Sequence, residues 1–166
     1  MSSHPDTVQL VKDLMQEVFG SKFAYYYNGD PEAIPIFNLP ALIVTQSGDE
    51  TETGAYGQDD VNDRITIKVV MNKRDDFDAQ KVKDMNTTDK RVRDLVGLRN
   101  EETGRYETQT VKAAIRTLLM KRITAVAPNL NVEYGITPRM GGEGFADMTS
   151  EGHVSFTIQY VVNTNQ

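Results

Sequence analysis

The chain of 166 residues contains no cysteine and no tryptophan, and it has only two histidines. The absence of cysteine excludes a disulfide framework and thiolate metal sites, and it is compatible with a reducing compartment. His4 lies close to the start of the chain and His153 lies in an alternating run. The sequence therefore does not indicate a metal site or acid–base catalysis by histidine. For His153 we expect a polar strand position that faces solvent or a neighbour.

Long apolar runs are also missing. No uninterrupted segment approaches the ~18 apolar residues that a membrane span requires, and Met1–Asp6 has neither the basic cluster nor the apolar stretch of a signal peptide. We therefore expect no membrane association and synthesis in the cytosol. The net charge of −6 disfavours general adhesion to nucleic acid, because phosphate binding depends on local lysine and arginine.

The clearest pattern lies between Asn62 and Asn72, where apolar residues from Ile65 to Met71 occupy every second position. Such alternation predicts a half-buried strand, and the run from His153 to Val162 repeats it. The apolar run Pro40–Thr45 predicts a third strand, since proline at its entry harms the ladder least.

Helical periodicity fills much of the space between these strands. The spacing predicts a helix over Thr7–Phe19 with Asp6 as its N-cap, a helical piece over Ala79–Asn86, a helix from Thr87 to Gly97, and the longest helix from Thr108 to Ala125. Phe23–Tyr27 and Asn129–Gly135 read as short extended segments, and Thr137–Gly152 as a glycine-rich loop. We therefore predict one domain, residues 1–166, with an α+β fold: a mostly antiparallel sheet, helices packed on one face and a long polar hairpin loop.

The segment Gln46–Asp63 stands out because its charged residues are all acidic. They are Asp49, Glu50, Glu52, Asp59, Asp60 and Asp63. A stretch of this composition buries too little apolar surface to order itself, so we expect a long exposed hairpin tip or a mobile arm. The spacing of its last three acids does not match a calcium loop, which favours a solvated loop over a cation site.

Other candidate sites are weak. Gly141–Gly144 lacks the lysine and hydroxyl residue that would follow in a phosphate loop, so it reads as a connector. Neither a Gly-x-Ser-x-Gly elbow nor a Ser-x-x-Lys motif occurs, and we assign no catalytic, metal or cofactor-binding residue. The basic residues interleave with acids and lack stacking aromatics, which is typical of a solvated or intersubunit face. They are Lys90, Arg91, Arg93, Lys112, Arg116, Lys121 and Arg122.

The order of these elements resembles the tail terminator, or tail-completion, proteins of long-tailed bacteriophages. The order covers most of the chain, and the resemblance is most specific at Gly57-Gln58-Asp59-Asp60 followed by Ile65 to Asp76. It implies a small domain that forms a homo-oligomeric ring, usually a hexamer, on the head-proximal end of the tail tube. Such proteins are virion components assembled in the host cytoplasm, and they are not enzymes and use no cofactor.

The partners implied are the tail tube protein and the head–tail connector protein, with DNA passing through the lumen without specific binding. Net negative charge suits such a channel, because acidic walls repel phosphate. A long polar arm also suits a ring, in which it can order on a neighbour. The candidate interface residues are Asp49, Glu50, Glu52, Tyr56, Asp59, Asp60, Arg139 and Phe145. The charged segment Gly97–Thr108 exceeds what the family pattern needs.

Three alternatives stay open. The chain could be another neck or tail component, such as a head–tail stopper or the tube protein itself, which would polymerise into open-ended tubes and not closed rings. A small enzyme or ligand-binding domain would use the Arg139–Phe145 loop. A host-encoded adaptor is the third.

Overall fold

The computed structural model describes residues 6–77, 87–119, 125–126 and 129–164. Its helices are α1 (Thr7–Phe19), α2 (Thr87–Gly97) and α3 (Val111–Ala114), which continues as a π-helical turn over Ile115–Leu119. Its strands are β1 (Tyr25–Asn28), β2 (Ala41–Thr53), β3 (Gln58–Asn72), β4 (Ala125–Val126), β5 (Asn131–Pro138) and β6 (Met148–Asn163). The helical piece predicted at Ala79–Asn86 lies outside the described residues.

These strands form one sheet in the order β1-β2-β3-β6, with β4 and β5 both paired to the far side of β6. Only the pairing of β1 with β2 is parallel among the described strands. The long central pair runs from Gln58 opposite Asn163 to Asn72 opposite Thr149. The prediction of a mostly antiparallel sheet is confirmed.

All the described helices pack on one face of this sheet, called here the helix face. The apolar residues of the alternating strands point to it, as in the neighbouring trio Val44, Ile67 and Val154. Val11 and Leu14 of α1 and Val92 of α2 complete the same buried cluster. The predicted α+β arrangement with helices on one face is confirmed.

Helix α1 has the predicted boundaries because both of its ends are capped. The carboxylate of Asp6 accepts hydrogen bonds from the backbone N–H groups of Val8 at 3.0 Å and Gln9 at 3.3 Å. These are donors that a helix N-terminus otherwise leaves without partners. Gly20 ends the helix with a φ of 55°, a conformation that favours glycine.

The opposite side of the sheet, called the second face, is covered by described residues at one end only. The chain between β1 and β2 crosses it there, and Ile34 packs on Ala41, Ile43 and Val70 in a small separate cluster. The backbone of Ala146 donates to the carbonyl of Ile34 at 2.9 Å, which ties this crossing to the loop before β6.

The acidic segment Gln46–Asp63 is more ordered than its composition predicts. β2 and β3 form a hairpin and stay paired out to Thr53 opposite Asp59, so only Ser47, at a register shift, and the turn at residues 54–57 are left unpaired. Val61 and Asp63 are buried, because β3 also pairs with β6 over its whole length. The order comes from this second partner, which lies about a hundred residues away in sequence.

Two further boundaries differ from the predictions. The helix expected over Thr108–Ala125 begins at Val111, after Thr110 caps it, and Ala125 belongs to a short strand, while residues 120–124 are outside the description. The loop expected over Thr137–Gly152 is confined to residues 139–147, because β5 and β6 extend into it from both sides.

No described helix has both the length and the apolar content to span a bilayer.

Candidate protein interface

The candidate interface residues lie at opposite ends of the sheet. Tyr56 and the acidic residues belong to the end where β2 turns into β3, called the hairpin end. Arg139 and Phe145 belong to the loop between β5 and β6, at the end where β2 begins, called the loop end. A single rigid sheet therefore separates the two halves of the predicted interface.

At the hairpin end, the acidic side chains are divided between the two faces. Asp49 lies directly opposite the buried Asp63 and so belongs to the helix face, as does Asp59. Glu50, Glu52 and Asp60 alternate with them and point to the second face. Among the described residues there is accordingly no group of three acids and histidines that could hold a metal ion.

Two cross-strand pairs at this end bring acidic residues together, Asp49 opposite Asp63 on the helix face and Glu52 opposite Asp60 on the second face. Asp60 is directly opposite Glu52 on the second face, an arrangement that destabilises an isolated hairpin. Asp63, by contrast, accepts hydrogen bonds from Thr7 Oγ1 at 2.7 Å and Gln46 Nε2 at 3.1 Å. Asp63 thus anchors the hairpin to the start of α1 and contributes no exposed charge.

The tip of the hairpin presents one aromatic ring to solvent. Tyr56 is 95% exposed, while Gly57 takes a φ of 75° and the backbone N–H of Gly54 donates to the carbonyl of Gln58 at 3.1 Å. The end of β6 also braces the turn, because the N–H of Thr164 donates to the carbonyl of Gly57 at 2.7 Å. The ring is therefore displayed by a turn held from two sides.

At the loop end, Arg139 is the centre of a charge network and is itself nearly inaccessible. Its Nη2 lies 2.6 Å from Glu151 Oε2, and its Nη1 lies 3.1 Å from Asp30 Oδ1. Lys68 binds the other oxygen of Asp30 at 2.6 Å, and His153 Nε2 lies 2.8 Å from Glu151 Oε1. The network fastens the chain between β1 and β2 to the second face of the sheet.

The network holds Glu151 in its ionised form. Burial alone would raise the pKa of this carboxyl, which is only 2% exposed, but hydrogen bonds from His153, Thr149 and Arg139 outweigh it and lower the pKa to about 2. For Arg139 the effects have the opposite sign. Burial alone would lower the pKa of its guanidinium group, but hydrogen bonds to Glu151 and Asp30 outweigh burial and raise it. Arg139 therefore stabilises the loop through its ion pairs, and Glu151 and Asp30 already neutralise its charge.

Phe145 belongs to an exposed apolar surface that sequence patterns did not reveal. Ile36, Phe37 and Met140 are 47%, 80% and 69% exposed, and Phe145 is 41% exposed. Phe145 pairs with Pro35 in an isolated bridge, and the N–H of Ile36 donates to the carbonyl of Gly144 at 2.9 Å, so the two loops form one unit. We call Ile36, Phe37, Met140 and Phe145 the loop-end patch. Its members lie in aperiodic loops, where only their apolar character in a turn-rich context could have marked them.

Two of the three glycines in Gly141–Gly144 have local structural roles. A side chain at Gly141 would come within 2.6 Å of Asp147 Cβ, and Gly144 takes a φ of 83°. These requirements explain Gly141 and Gly144, whereas Gly142 has neither a close contact nor a positive φ.

The segment Lys73–Asp76, which ends the stretch from Ile65 to Asp76, has a structural role. Asp76 accepts hydrogen bonds from the N–H of Thr88 at 2.9 Å and its Oγ1 at 2.6 Å, and so caps α2 from a distance. Lys73 lies 2.6 Å from Asp76 and 3.2 Å from Asp89. The pKa of Asp76 would be raised by burial but is lowered by the bonds from Lys73 and Thr88.

The basic residues of the helices are only partly neutralised by local partners. Lys90 pairs with Asp94 at 2.8 Å, and Lys112 lies 5.5 Å from the ring centre of Tyr106. Lys121, Arg122 and His4 lie outside the described residues.

No protein-family model and no curated protein matches this chain.

Proposed function

We propose that this protein is a structural component of a phage virion that forms a closed ring, terminates the tail tube and joins it to the head connector. The observation that carries the proposal is the placement of two exposed surfaces at opposite ends of one sheet. The hairpin end displays Tyr56 among acidic residues, and the loop end displays the loop-end patch. A ring between two assemblies needs two such axial surfaces.

The two surfaces differ in chemistry, as contacts with different partners require. The hairpin end is acidic and polar apart from Tyr56 and the exposed Val161 and Val162 of β6, whereas the loop-end patch offers larger apolar side chains of a kind that marks protein contacts. The interactions at residues 30, 139 and 151 stiffen the loop end, which reduces the entropy lost when a partner docks. The order of elements described above supports the same proposal.

Charge also fits the proposed position. The chain carries a net charge of −6, so a channel formed by several copies repels DNA that passes through it. Ring formation itself is tested by native mass spectrometry and negative-stain imaging of the purified protein. Closed rings of one defined copy number support the proposal, open-ended tubes indicate a tube protein, and a strict monomer at every concentration contradicts it.

A further inference from the structure

Strand β5 has a long edge that no other described strand covers. β6 pairs with one side of it from Asn131 opposite Ser155 to Pro138 opposite Met148. The edge contains a single charged residue, Glu133, and its Tyr134 and Ile136 are 49% and 52% exposed. An exposed apolar edge with unpaired backbone groups is a template for an added strand.

A depression of about 320 Å³ lies beside this edge, on the helix face. It is lined by Val92 and Arg93 of α2 and by Tyr134 and Ile136 of β5, and Arg99 lies in the adjoining depression. Neither arginine has an ion-pair partner in the part of the chain that the structure describes. Asp89 also lines the depression, but its carboxylate is bound to Lys73 and Ser150. An added strand would therefore meet apolar side chains and the guanidinium group of Arg93, which forms no ion pair with a described residue.

The opposite edge of the sheet supplies a strand of matching length and charge. β1 covers β2 only from Ala41 to Val44, so the outer part of β2, residues 46–53, has one side without a partner among the described strands. This stretch contains Asp49, Glu50 and Glu52, which form no ion pair with any described residue. Of the three, Asp49 points to the helix face, the side on which Arg93 lies.

Strand direction makes the two edges compatible. β2, β3, β6 and β5 are each antiparallel to the next, so β2 and β5 run in opposite directions at opposite edges. We infer that the outer part of β2 in one copy of this chain pairs antiparallel with β5 of the next copy, bringing Asp49 to Arg93. This inference rests on the proposed ring, because such a head-to-tail contact uses different surfaces on each copy and repeats from copy to copy.

The pairing also fixes how neighbouring copies are offset. Asn131 is level with Thr45 across the sheet, through Ser155 and Thr66, so β5 lies beside the inner part of its own β2. A neighbour contributing residues 46–53 is therefore displaced along the strands by about eight residues, roughly 26 Å. A ring can close with this offset because its strands tilt against the axis, as they do in closed barrels.

Charge exchange at the two positions tests the pairing. Asp49→Arg and Arg93→Asp should each weaken self-association of the full chain by at least about tenfold, as for a close interfacial charge pair. The double variant should recover to within about threefold of the original protein. Glu50→Arg, which points to the second face, and Arg91→Asp, on α2 but outside the depression, are matched controls expected to change association by less than about threefold. Mass photometry over a concentration series gives the association constants, and thermal unfolding verifies that each variant is folded.

The outcomes separate this inference from the proposed function. Rings that persist unchanged in both single variants overturn the edge pairing and leave the ring proposal standing. Single variants that dissociate without recovery in the double variant also overturn the pairing of these two residues. Open polymers that respond to the charge exchange support the pairing and contradict the closed ring, and a protein that never associates overturns both.

Discussion

Glu151 shows how the second face of the sheet tolerates buried charge. A carboxylate at 2% exposure is costly unless its oxygens are bound, and here Arg139, His153 and Thr149 all bind them. The partners come from separate parts of the chain, and Asp30 joins through Arg139 from 109 residues away. No spacing in the sequence indicates this network, because only the fold brings its members together.

The network predicts a specific loss of stability in acid. The pKa of Glu151 is about 2 in the folded protein against an ordinary value of 4.5, so its stabilising contribution is present above pH 4.5 and is lost as pH falls towards 2. Between pH 6.5 and pH 3 the free energy of unfolding of Glu151→Gln should fall by roughly 2 kcal/mol less than that of the original protein. Urea unfolding at the two pH values measures this, and equal losses in the two proteins would show that Glu151 is not held ionised.

An exposed ion pair provides the control for this experiment. Arg74 and Asp147 are in contact at 2.9 Å but are both well exposed, so solvent screens their attraction. We expect Asp147→Asn to leave the urea midpoint at pH 6.5 nearly unchanged, whereas Glu151→Gln lowers it clearly.

The neighbouring carboxylates Asp75 and Asp76 should differ in their contribution to stability, because Asp76 is buried and Asp75 is exposed. Asp76→Ala removes the cap of α2 and one of the carboxylate partners of the buried ammonium of Lys73, so the free energy of unfolding should fall by roughly 3 kcal/mol. Asp75→Ala, at the exposed neighbouring position, should change it by less than about 0.5 kcal/mol. Equal effects of the two substitutions in urea unfolding would contradict the assigned role of Asp76.

Among the elements, the β2–β3 hairpin differs most from what its composition predicts. Its outer residues are paired strands and not an unstructured arm, yet Glu52, Thr53, Asp59 and Asp60 contribute little to the core. Removing these four residues takes an even number from each strand, so every remaining side chain keeps its face. The turn would then follow the pair formed by Thr51 and Val61.

We expect this shortened protein to remain folded, with a melting temperature within a few degrees of the original. Its self-association should weaken, because the acidic outer ladder is shorter. A variant of full length with threonine at the same four positions separates the effect of length from that of charge. Insolubility of the shortened protein would instead show that the outer hairpin is part of the folding core. Circular dichroism and mass photometry give the two readouts.

Elements with local signals could be predicted from the sequence. α1 has an amphipathic pattern, an N-cap at Asp6 and a glycine stop, and its boundaries match the prediction. The alternation around Ile67 and Phe156 likewise identified the two central strands. In these cases the residues that specify the element lie within the element itself.

Elements stabilised from elsewhere could not be predicted in full. The polar outer parts of β2 and β3 are strands because β6 supplies a third strand that pairs with β3, although their own composition is typical of a loop. The division of the acidic residues between two faces followed from the register, which only the pairing reveals. Ile36 and Phe37 cannot be recognised as surface residues of a patch from the sequence, because an apolar residue in an aperiodic loop gives no periodic signal.

At the scale of the whole molecule, the sheet works as a rigid spacer between two surfaces. The hairpin end and the loop end are separated by the full length of β3, which has 15 residues and spans roughly 50 Å. Substitutions at one end should therefore affect one axial contact and leave the other intact. That separation is the arrangement that the proposed ring between two partners requires.

Substitutions in the loop-end patch and at Tyr56 test whether each end of the sheet binds a separate partner. Phe37→Ser with Phe145→Ser removes two exposed rings at the loop end, and Tyr56→Ser removes one at the hairpin end. Each variant should stay folded and should lose binding to one partner only, either the tube or the connector. Pull-down with each purified partner measures this, and loss of both contacts in either variant would contradict two separate axial surfaces.

The most direct test of the proposed function is a tube-assembly experiment. Purified tail tube protein is polymerised with increasing amounts of this protein, and tube lengths and ends are measured by negative-stain electron microscopy. We expect shorter tubes as the ratio rises, each carrying a closed ring of this protein at one end. Tubes of unchanged length with bare ends, or tubes into which this protein copolymerises along the wall, would contradict it.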